Sequence, residues 1–385
     1  MHAFAPSLHV GCCLPLSPSL WLDPLPPSLA SIGGEHENIG KMARGALKNA
    51  DMVLEYRIPD PEAAKKTQGS VWMLILSTLA MLTLAGTLAG GGCAIDAKWK
   101  TNEKGYGLTA LVMFDDEGRA WPVALMVHNV EHYWTTRWLK EAVQRCMPCT
   151  RPTCDCLYTT RALPRGGFCL DRRCKAYPST ELAFVMCDKL ASQVKAFRNN
   201  AFGKTTVLLC QFHVFQAMLD KYNELKIRDF VVLSVLVWGV KMIRQSRTAG
   251  IAKARFVLFS RLLPSVIKDR SICSAVLTYL STFWMSARWL LTWIDGGRIL
   301  KGIYTTVTTG NSVERLWIDV ETHMCKNKMF KRLDDQITAI TGPIPLFPPL
   351  CPSVAIIRPL LPYIYRCQAR IHLWLPSPGR IQQCR

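Results

Sequence analysis

Apolar residues recur along the chain with spacings that change from strand-like to helix-like. From residue 93 three short apolar runs follow one another, each bounded by polar or glycine residues as strands are. Residues 131–146 then place apolar side chains at helical spacing, and the runs 181–187 and 205–210 each precede another helical pattern. The order β-β-β-α-β-α-β-α predicts an α/β fold with a mixed sheet covered by helices.

The pattern becomes wholly helical between about residues 221 and 301, which predicts an all-helical insertion. A final amphipathic helix is predicted over 311–337. Residues 1–70 and 343–385 carry many proline, leucine and serine residues and show little periodicity. We therefore predict that both ends are mostly unstructured tails.

One stretch, Val71–Ala89, is uncharged, mostly apolar and about as long as a helix that crosses a bilayer. It allows two interpretations, a single membrane span or a helix packed in the core. Serine and threonine residues dilute it, and it runs almost directly into the predicted strand at residue 93, which favours the core. We expect an apolar helix over 71–92 and keep membrane insertion as the alternative.

Three acidic residues occupy positions from which their side chains could converge. Asp96 lies in the first predicted strand, Asp188 ends the fourth, and Glu314 lies in the first turn of the last helix. This is the layout of the ribonuclease H-like fold, in which carboxylates hold two Mg²⁺ or Mn²⁺ ions for phosphoryl transfer. The alternative is ordinary, because aspartate ends many strands and the helix dipole favours glutamate in a first turn.

Lysine and arginine outnumber aspartate and glutamate by 47 to 28, which gives a formal net charge of +19. Such an excess favours a polyanionic partner, nucleic acid before an anionic membrane surface. Basic residues follow two of the three acids in the sequence, where a phosphate backbone would pass. The predicted nucleic-acid contacts are Lys98, Lys100, Lys104, Lys326, Lys328, Lys331 and Arg332.

The sequence around each acid resembles a block of the MULE (Mutator-like element) transposase domain. IDAKWKTNEKGYGLTALVMF is similar to the first block, whose strand carries the first catalytic aspartate. FVMCDKLASQVKAF with LLCQFHVF is similar to the second block, and TTGNSVERLW is similar to the last. The resemblance implies a DDE-type catalytic domain over 93–340, interrupted by the helical insertion, with Asp96, Asp188 and Glu314 as metal-binding acids.

By the same resemblance, the activity is metal-dependent cleavage and strand transfer of double-stranded DNA at terminal inverted repeats, in the nucleus. The sequence does not decide whether the protein forms a homo-oligomer. The family's zinc-type DNA-binding domain and SWIM zinc finger are not found in the sequence, so one alternative is a catalytically silent, domesticated or truncated relic that binds DNA. A single-span membrane-anchored protein is the other alternative.

Cysteine and histidine residues offer two further candidate sites. Cys210 and His213 are spaced for two ligands of one zinc ion or for a structural contact, and the resemblance marks the pair as typical of the family. A second group, within an arginine-rich segment, allows a zinc-stabilised loop that contacts DNA or a reduced, flexible insertion, which we expect. Its cysteines are Cys146, Cys149, Cys154, Cys156, Cys169 and Cys174.

Overall fold

A nine-stranded mixed sheet forms the centre of the part of the chain that the structure describes. The computed structural model describes residues 35–45, 53–65, 67–88, 91–149, 154, 156–174, 182–188, 191–198, 205–303, 311–324 and 329–341. The strands are β1 Val53–Arg57, β2 Met73–Leu76, β3 Cys93–Lys98, β4 Gly107–Phe114, β5 Ala120–His128, β6 Tyr158–Ala162, β7 Phe168–Arg172, β8 Phe184–Cys187 and β9 Thr206–Leu209. Their order across the sheet is β6-β7-β1-β2-β5-β4-β3-β8-β9.

Neighbouring strands are antiparallel except at one end of the sheet, where β3, β8 and β9 are parallel. The difference follows from the connections. Between β4 and β5 the chain reverses in a tight turn, in which the Gly118 amide donates to the Asp115 carbonyl at 2.9 Å. Gly118 adopts a φ of 78°, which glycine tolerates without steric cost. A helix separates β8 from β9, so the next strand returns parallel.

Helices pack against this sheet and against one another, and most of them contribute to the main apolar core. They are α1 Glu35–Arg44, α2 Leu79–Leu88, α3 Tyr133–Cys146, α4 Ala191–Arg198, α5 Gln211–Glu224, α6 Phe230–Arg244, α7 Ala249–Val266, α8 Arg270–Tyr279, α9 Leu290–Trp293, α10 Asp295–Ile299, α11 Asn311–Asp319 and α12 Leu333–Thr341. Short π-helical turns follow α8 and α11.

The predicted α/β class with a mixed sheet is confirmed. The three runs after residue 93 form β3, β4 and β5, and the helical pattern over 131–146 forms α3. Across 221–301 the described residues contain helices and turns without a strand. The predicted tail 343–385 lies outside the described residues.

The apolar stretch 71–92 is not a single helix, contrary to expectation. Its first part is β2, which lies between β1 and β5 with all four residues buried, and its second part is the ten-residue helix α2. The break falls where Ser77 Oγ donates to the Val123 carbonyl at 2.6 Å and Thr78 Oγ1 accepts from the Met81 amide at 3.3 Å. No helix among the described residues is long and apolar enough to span a membrane.

The expectation of an unstructured segment 1–70 is wrong for its described part. β1 lies between β7 and β2, and α1 packs against α12, where Asn38 Nδ2 donates to Asp334 Oδ2 at 3.0 Å. β1 has only five residues, so its buried Leu54 and Tyr56 gave too short a periodic signal. Residues 1–34 lie outside the described part of the chain.

The described part of the cysteine-rich segment is also more ordered than a flexible insertion. It forms the hairpin β6–β7, and β7 extends the sheet by pairing with β1. Arg145 links this hairpin to the sheet, because its guanidinium contacts Glu55 at 2.7 Å and Asp171 at 2.9 Å. The carboxylate of Glu55 is 1 % exposed, so the arginine offsets a buried negative charge.

Candidate active site at the carboxyl edge of the sheet

Four strands end at one edge of the sheet, and residues at these ends make up the candidate site. β4 is antiparallel to both β3 and β5, so β5, β3, β8 and β9 all point the same way. Ligands of open α/β sheets bind beyond the carboxyl ends of such strands. The residues at this edge are Glu131 after β5, Asp96 in β3, Asp188 after β8 and Cys210 after β9.

Asp96 and Asp188 are neighbours across the parallel pair β3–β8. Ala94 is in register with Met186, and the same offset sets Asp96 beside Asp188. Because side chains alternate along a strand, two residues at one register level lie on the same face of the sheet. The two acids therefore share one face and one edge.

Asp96 faces α11 rather than the main apolar core. The preceding residue, Ile95, belongs to that core, and alternation turns Asp96 to the opposite face. There the indole Nε1 of Trp317 donates to Asp96 Oδ2 at 3.0 Å, and Trp317 is 4 % exposed. The helix predicted to carry the third acid is thus packed against the strand that carries the first.

The third predicted acid, Glu314, lies in α11, three residues before Trp317. Positions three apart are neighbours on a helix surface. The backbone of α11 therefore brings the Glu314 position to the same edge as Asp96. The Glu314 side chain lies outside the described part of the structure.

Glu131, which the sequence interpretation missed, is a further acid at this edge. Trp99 Nε1 donates to its Oε2 at 3.1 Å, and Gln193 Nε2 donates to its Oε1 at 3.0 Å. Burial raises the pKa of Glu131, these two donors lower it, and the nearby charges of Asp96 and Asp188 raise it further. The available signal was an acid just beyond the end of a predicted strand that runs parallel to β3.

His213 brings a positive charge to the acids. It lies in the first turn of α5, whose N-cap residue is Cys210. Burial lowers the pKa of His213, but the Cys210 thiol and the Asp188 and Asp96 carboxylates outweigh burial and raise this pKa to about 9. A protonated His213 at neutral pH therefore offsets part of the negative charge at the edge.

The carboxylates at this edge suit a divalent cation. Burial raises the pKa of Asp96, and Asp188 adds to the rise, whereas Trp317 and His213 lower it. A raised pKa means that the ionised carboxylate is costly here, and a bound cation reduces that cost. Carboxylate oxygens are hard ligands of the kind that Mg²⁺ and Mn²⁺ take, so the residues present fit these ions.

Among the described residues, no third ligand joins Cys210 and His213 to complete a zinc site. In the described part of the chain, the group of possible metal ligands whose ligand atoms all lie within 4.8 Å of one another consists of four other cysteines. Cys210 is buried, and its amide donates to the Cys187 carbonyl at 2.9 Å, which joins the ends of β8 and β9. These contacts favour the structural interpretation of the pair.

Two segments with predicted nucleic-acid contacts lie side by side. The Glu103 amide donates to the Phe330 carbonyl at 2.9 Å, and the Phe330 amide donates to the Thr101 carbonyl at 3.2 Å. The two segments therefore run next to each other after the end of β3. The exposed lysines there are Lys100, Lys104 and Lys331.

Other predicted nucleic-acid contacts are engaged within the protein or lie outside the description. Lys98 Nζ contacts Glu321 Oε1 at 2.9 Å, and Arg332 Nη2 contacts Asp334 Oδ2 at 2.7 Å. Their charges are already partly offset, so they add less to an anion-binding surface than the exposed lysines do. Lys326 and Lys328 lie outside the described residues.

Comparison with known proteins yields no assignment. No protein-family model matches the chain, and no curated protein matches it either. The geometry of the sheet edge and the motifs of the chain are therefore the basis on which we infer its function.

Proposed function

We propose that the chain is a metal-dependent phosphoryl-transfer enzyme for double-stranded DNA, of the Mutator-like DDE transposase type, acting in the nucleus. The observation that carries the proposal is the register of β3 with β8, which pairs Asp96 with Asp188 at the carboxyl edge. Trp317 supports the proposal because its hydrogen bond to Asp96 holds α11 beside β3. A ribonuclease H-like core is supported by the antiparallel start β3–β4–β5 followed by the parallel strands β8 and β9.

In this proposal Asp96 and Asp188 hold two Mg²⁺ or Mn²⁺ ions, and Glu314 on α11 completes the ligand set. Bound ions of this kind activate a water or a DNA 3′-hydroxyl and stabilise charge on the phosphate. Glu131, at the same edge of the sheet, would be a further carboxylate ligand for these ions.

Neighbouring side chains keep these carboxylates in place. The indole of Trp317 orients Asp96, while Trp99 and Gln193 orient Glu131. Exposed Lys104 and its neighbours would contact the DNA backbone beside the acids. The site thus combines negative metal ligands with a positive approach surface.

The decisive test compares Asp96→Asn with Asp116→Asn in the full-length chain. Asp116 is an exposed acid in the β4–β5 turn, so its variant controls for the same chemical change away from the site. Nicking of a supercoiled plasmid in Mn²⁺ should fall at least about 100-fold in Asp96→Asn, since even residues that only hydrogen-bond to metal ligands contribute about 10–100-fold. Asp116→Asn should match wild type.

Equal nicking by wild type and Asp96→Asn would refute the catalytic assignment. So would duplex binding by well-folded wild type without any Mn²⁺-dependent cleavage, which is the behaviour of a silent DNA-binding relic. Circular dichroism of all three proteins separates loss of catalysis from loss of fold.

A further inference from the structure

Six cysteines near the β6–β7 hairpin divide into two groups of different character. Cys146 and Cys169 are fully buried, Cys146 within the apolar core, and the Cys146 thiol donates to the Leu170 carbonyl at 3.2 Å. The other four gather outside this core, with their sulfur atoms all within 4.8 Å of one another. These four are Cys149, Cys154, Cys156 and Cys174, here called the thiol cluster.

We propose that the thiol cluster binds one structural Zn²⁺ ion through four thiolates. With Zn–S bonds of about 2.3 Å, tetrahedral sulfur ligands lie about 3.8 Å apart. The Cys156 and Cys149 sulfurs are 3.5 Å apart, and the Cys174 and Cys156 sulfurs are 3.8 Å apart. Four sulfur donors at such spacing suit a single tetrahedral ion, and zinc is the divalent metal most often held this way.

The strand register places two of the ligands opposite each other. Tyr158 is in register with Arg172, and the Arg173 amide donates to the Leu157 carbonyl at 2.8 Å, so the ladder continues past the strand ends. One residue further from each of the two strands, Cys156 and Cys174 lie next to each other, with their sulfurs 3.8 Å apart. The hairpin therefore delivers two thiols from its open end.

The segment after α3 delivers the other two ligands. Its start is fixed because Tyr158 Oη donates to the Cys146 carbonyl at 2.8 Å and Arg172 Nη1 donates to the Met147 carbonyl at 2.5 Å. Cys149 follows directly, and its amide donates to the Cys156 sulfur at 3.2 Å. An N–H donor to a ligand sulfur offsets part of the negative charge of a thiolate.

Cys156 has a backbone conformation that favours the proposal. Its φ is 47°, in the left-handed region that glycine normally occupies. A side chain there is strained, and strain of this kind is retained where the side chain has a function. The conformation turns the Cys156 thiol towards Cys149 and Cys174, whose sulfurs it contacts.

A zinc ion here would fasten α3 to the hairpin and thereby hold the outer part of the sheet. Three arginines of the hairpin already make contacts within the protein, which favours a structural role for the ion. Arg161 contacts Asp171 at 2.7 Å, Arg165 contacts Asp60 at 2.5 Å, and Arg172 is buried. The site is therefore structural and separate from the carboxylate edge.

The test uses the full-length chain, expressed with added zinc and purified under reducing conditions. Elemental analysis should find about one zinc per chain, and X-ray absorption should find four sulfur atoms at about 2.3 Å. Replacement by Co²⁺ should give the sulfur-to-cobalt charge-transfer absorption of a thiolate site. These measurements on wild type do not depend on whether any variant folds.

Variants then locate the ion. Cys154→Ser and Cys174→Ser should each lose most of the zinc, whereas Cys273→Ser, a buried cysteine of α8 outside the cluster, should keep it. Metal-free wild type, iron in place of zinc, nitrogen or oxygen ligands, or two disulfides among the four cysteines would each overturn the proposal. Unchanged zinc in both cluster variants would overturn it as well.

Discussion

At the scale of single residues, the carboxylates of the sheet edge differ from the other buried acids in what binds them. Asp96 and Glu131 accept hydrogen bonds from neutral indole donors, Trp317 and Trp99 respectively. Glu55, by contrast, forms ion pairs with two arginines, which offset its negative charge. Neutral donors orient a carboxylate without neutralising it, so these acids remain able to attract a cation.

A buried histidine provides a prediction about pH. The Nδ1–H of His128 donates to the Val130 carbonyl at 2.9 Å, and its Nε2 lies 2.7 Å from Thr109 Oγ1. Burial lowers its pKa from 6.5 to about 4. As pH falls below about 6.5, His128 takes up a proton in the unfolded chain but stays neutral in the folded chain. The free energy of unfolding is therefore highest, with respect to this residue, above pH 6.5 and falls by about 3 kcal/mol towards pH 4.

Urea unfolding between pH 4 and 7.5 tests this expectation. His128→Gln should be less stable than wild type at pH 7.5 but should lose less stability on acidification. His36→Gln, which replaces an exposed histidine, should keep the slope of wild type. An unchanged slope in His128→Gln would show that other groups govern acid unfolding.

At the scale of elements, the sequence predicted the strands around the acids much better than the outer sheet. β4 was predicted correctly because its eight residues are mostly apolar and stand between two polar turns, as one of the three runs after residue 93. β2 and α2 were merged, since a fully buried strand and an apolar helix are both continuous apolar runs. β6 was missed because its residues are largely exposed and polar and its place depends on pairing with β7.

The same limits apply to the site. The positions of Asp96 and Asp188 follow from local strand patterns, and parallel pairing then sets them together. Glu131 could be recognised only once β5 was known to run parallel to β3 through β4, which is a non-local property. The thiol cluster likewise depends on hairpin register, because the sequence spacing equally suggested Cys146 as a ligand.

The break between β2 and α2 gives a prediction at this scale. Thr78 Oγ1 accepts a hydrogen bond from the Met81 amide at 3.3 Å and so caps the start of α2. Thr78→Ala should lower the free energy of unfolding by about 1 kcal/mol. Thr83→Ala, at an exposed position inside the same helix, should leave it unchanged or raise it slightly. Equal effects of the two variants in urea unfolding would argue against a capping role.

At the scale of the whole molecule, a net charge of +19 matters for binding only where cations are free to meet an anion. Much of the described basic charge is used internally, as in Arg145 with Glu55 or Arg298 with Asp295. The exposed lysines beside the carboxyl edge are different, because Lys104 and Lys331 lie on segments joined by backbone hydrogen bonds. Position, more than total charge, therefore selects the surface on which DNA would lie.

The double variant Lys104→Ala/Lys331→Ala tests that surface. Each lysine that neutralises a phosphate contributes about 0.9 to the slope of log affinity against log salt, so the double variant should reduce the slope by about 2. Fluorescence anisotropy with a duplex of arbitrary sequence, between about 50 and 200 mM salt, measures the change. Lys241→Ala/Lys253→Ala removes two exposed lysines from the helical region and should leave the slope nearly unaltered. If both double variants weaken binding equally, the chain attracts DNA through its overall charge, and the lysines beside the carboxyl edge contribute no more to DNA binding than other exposed lysines do.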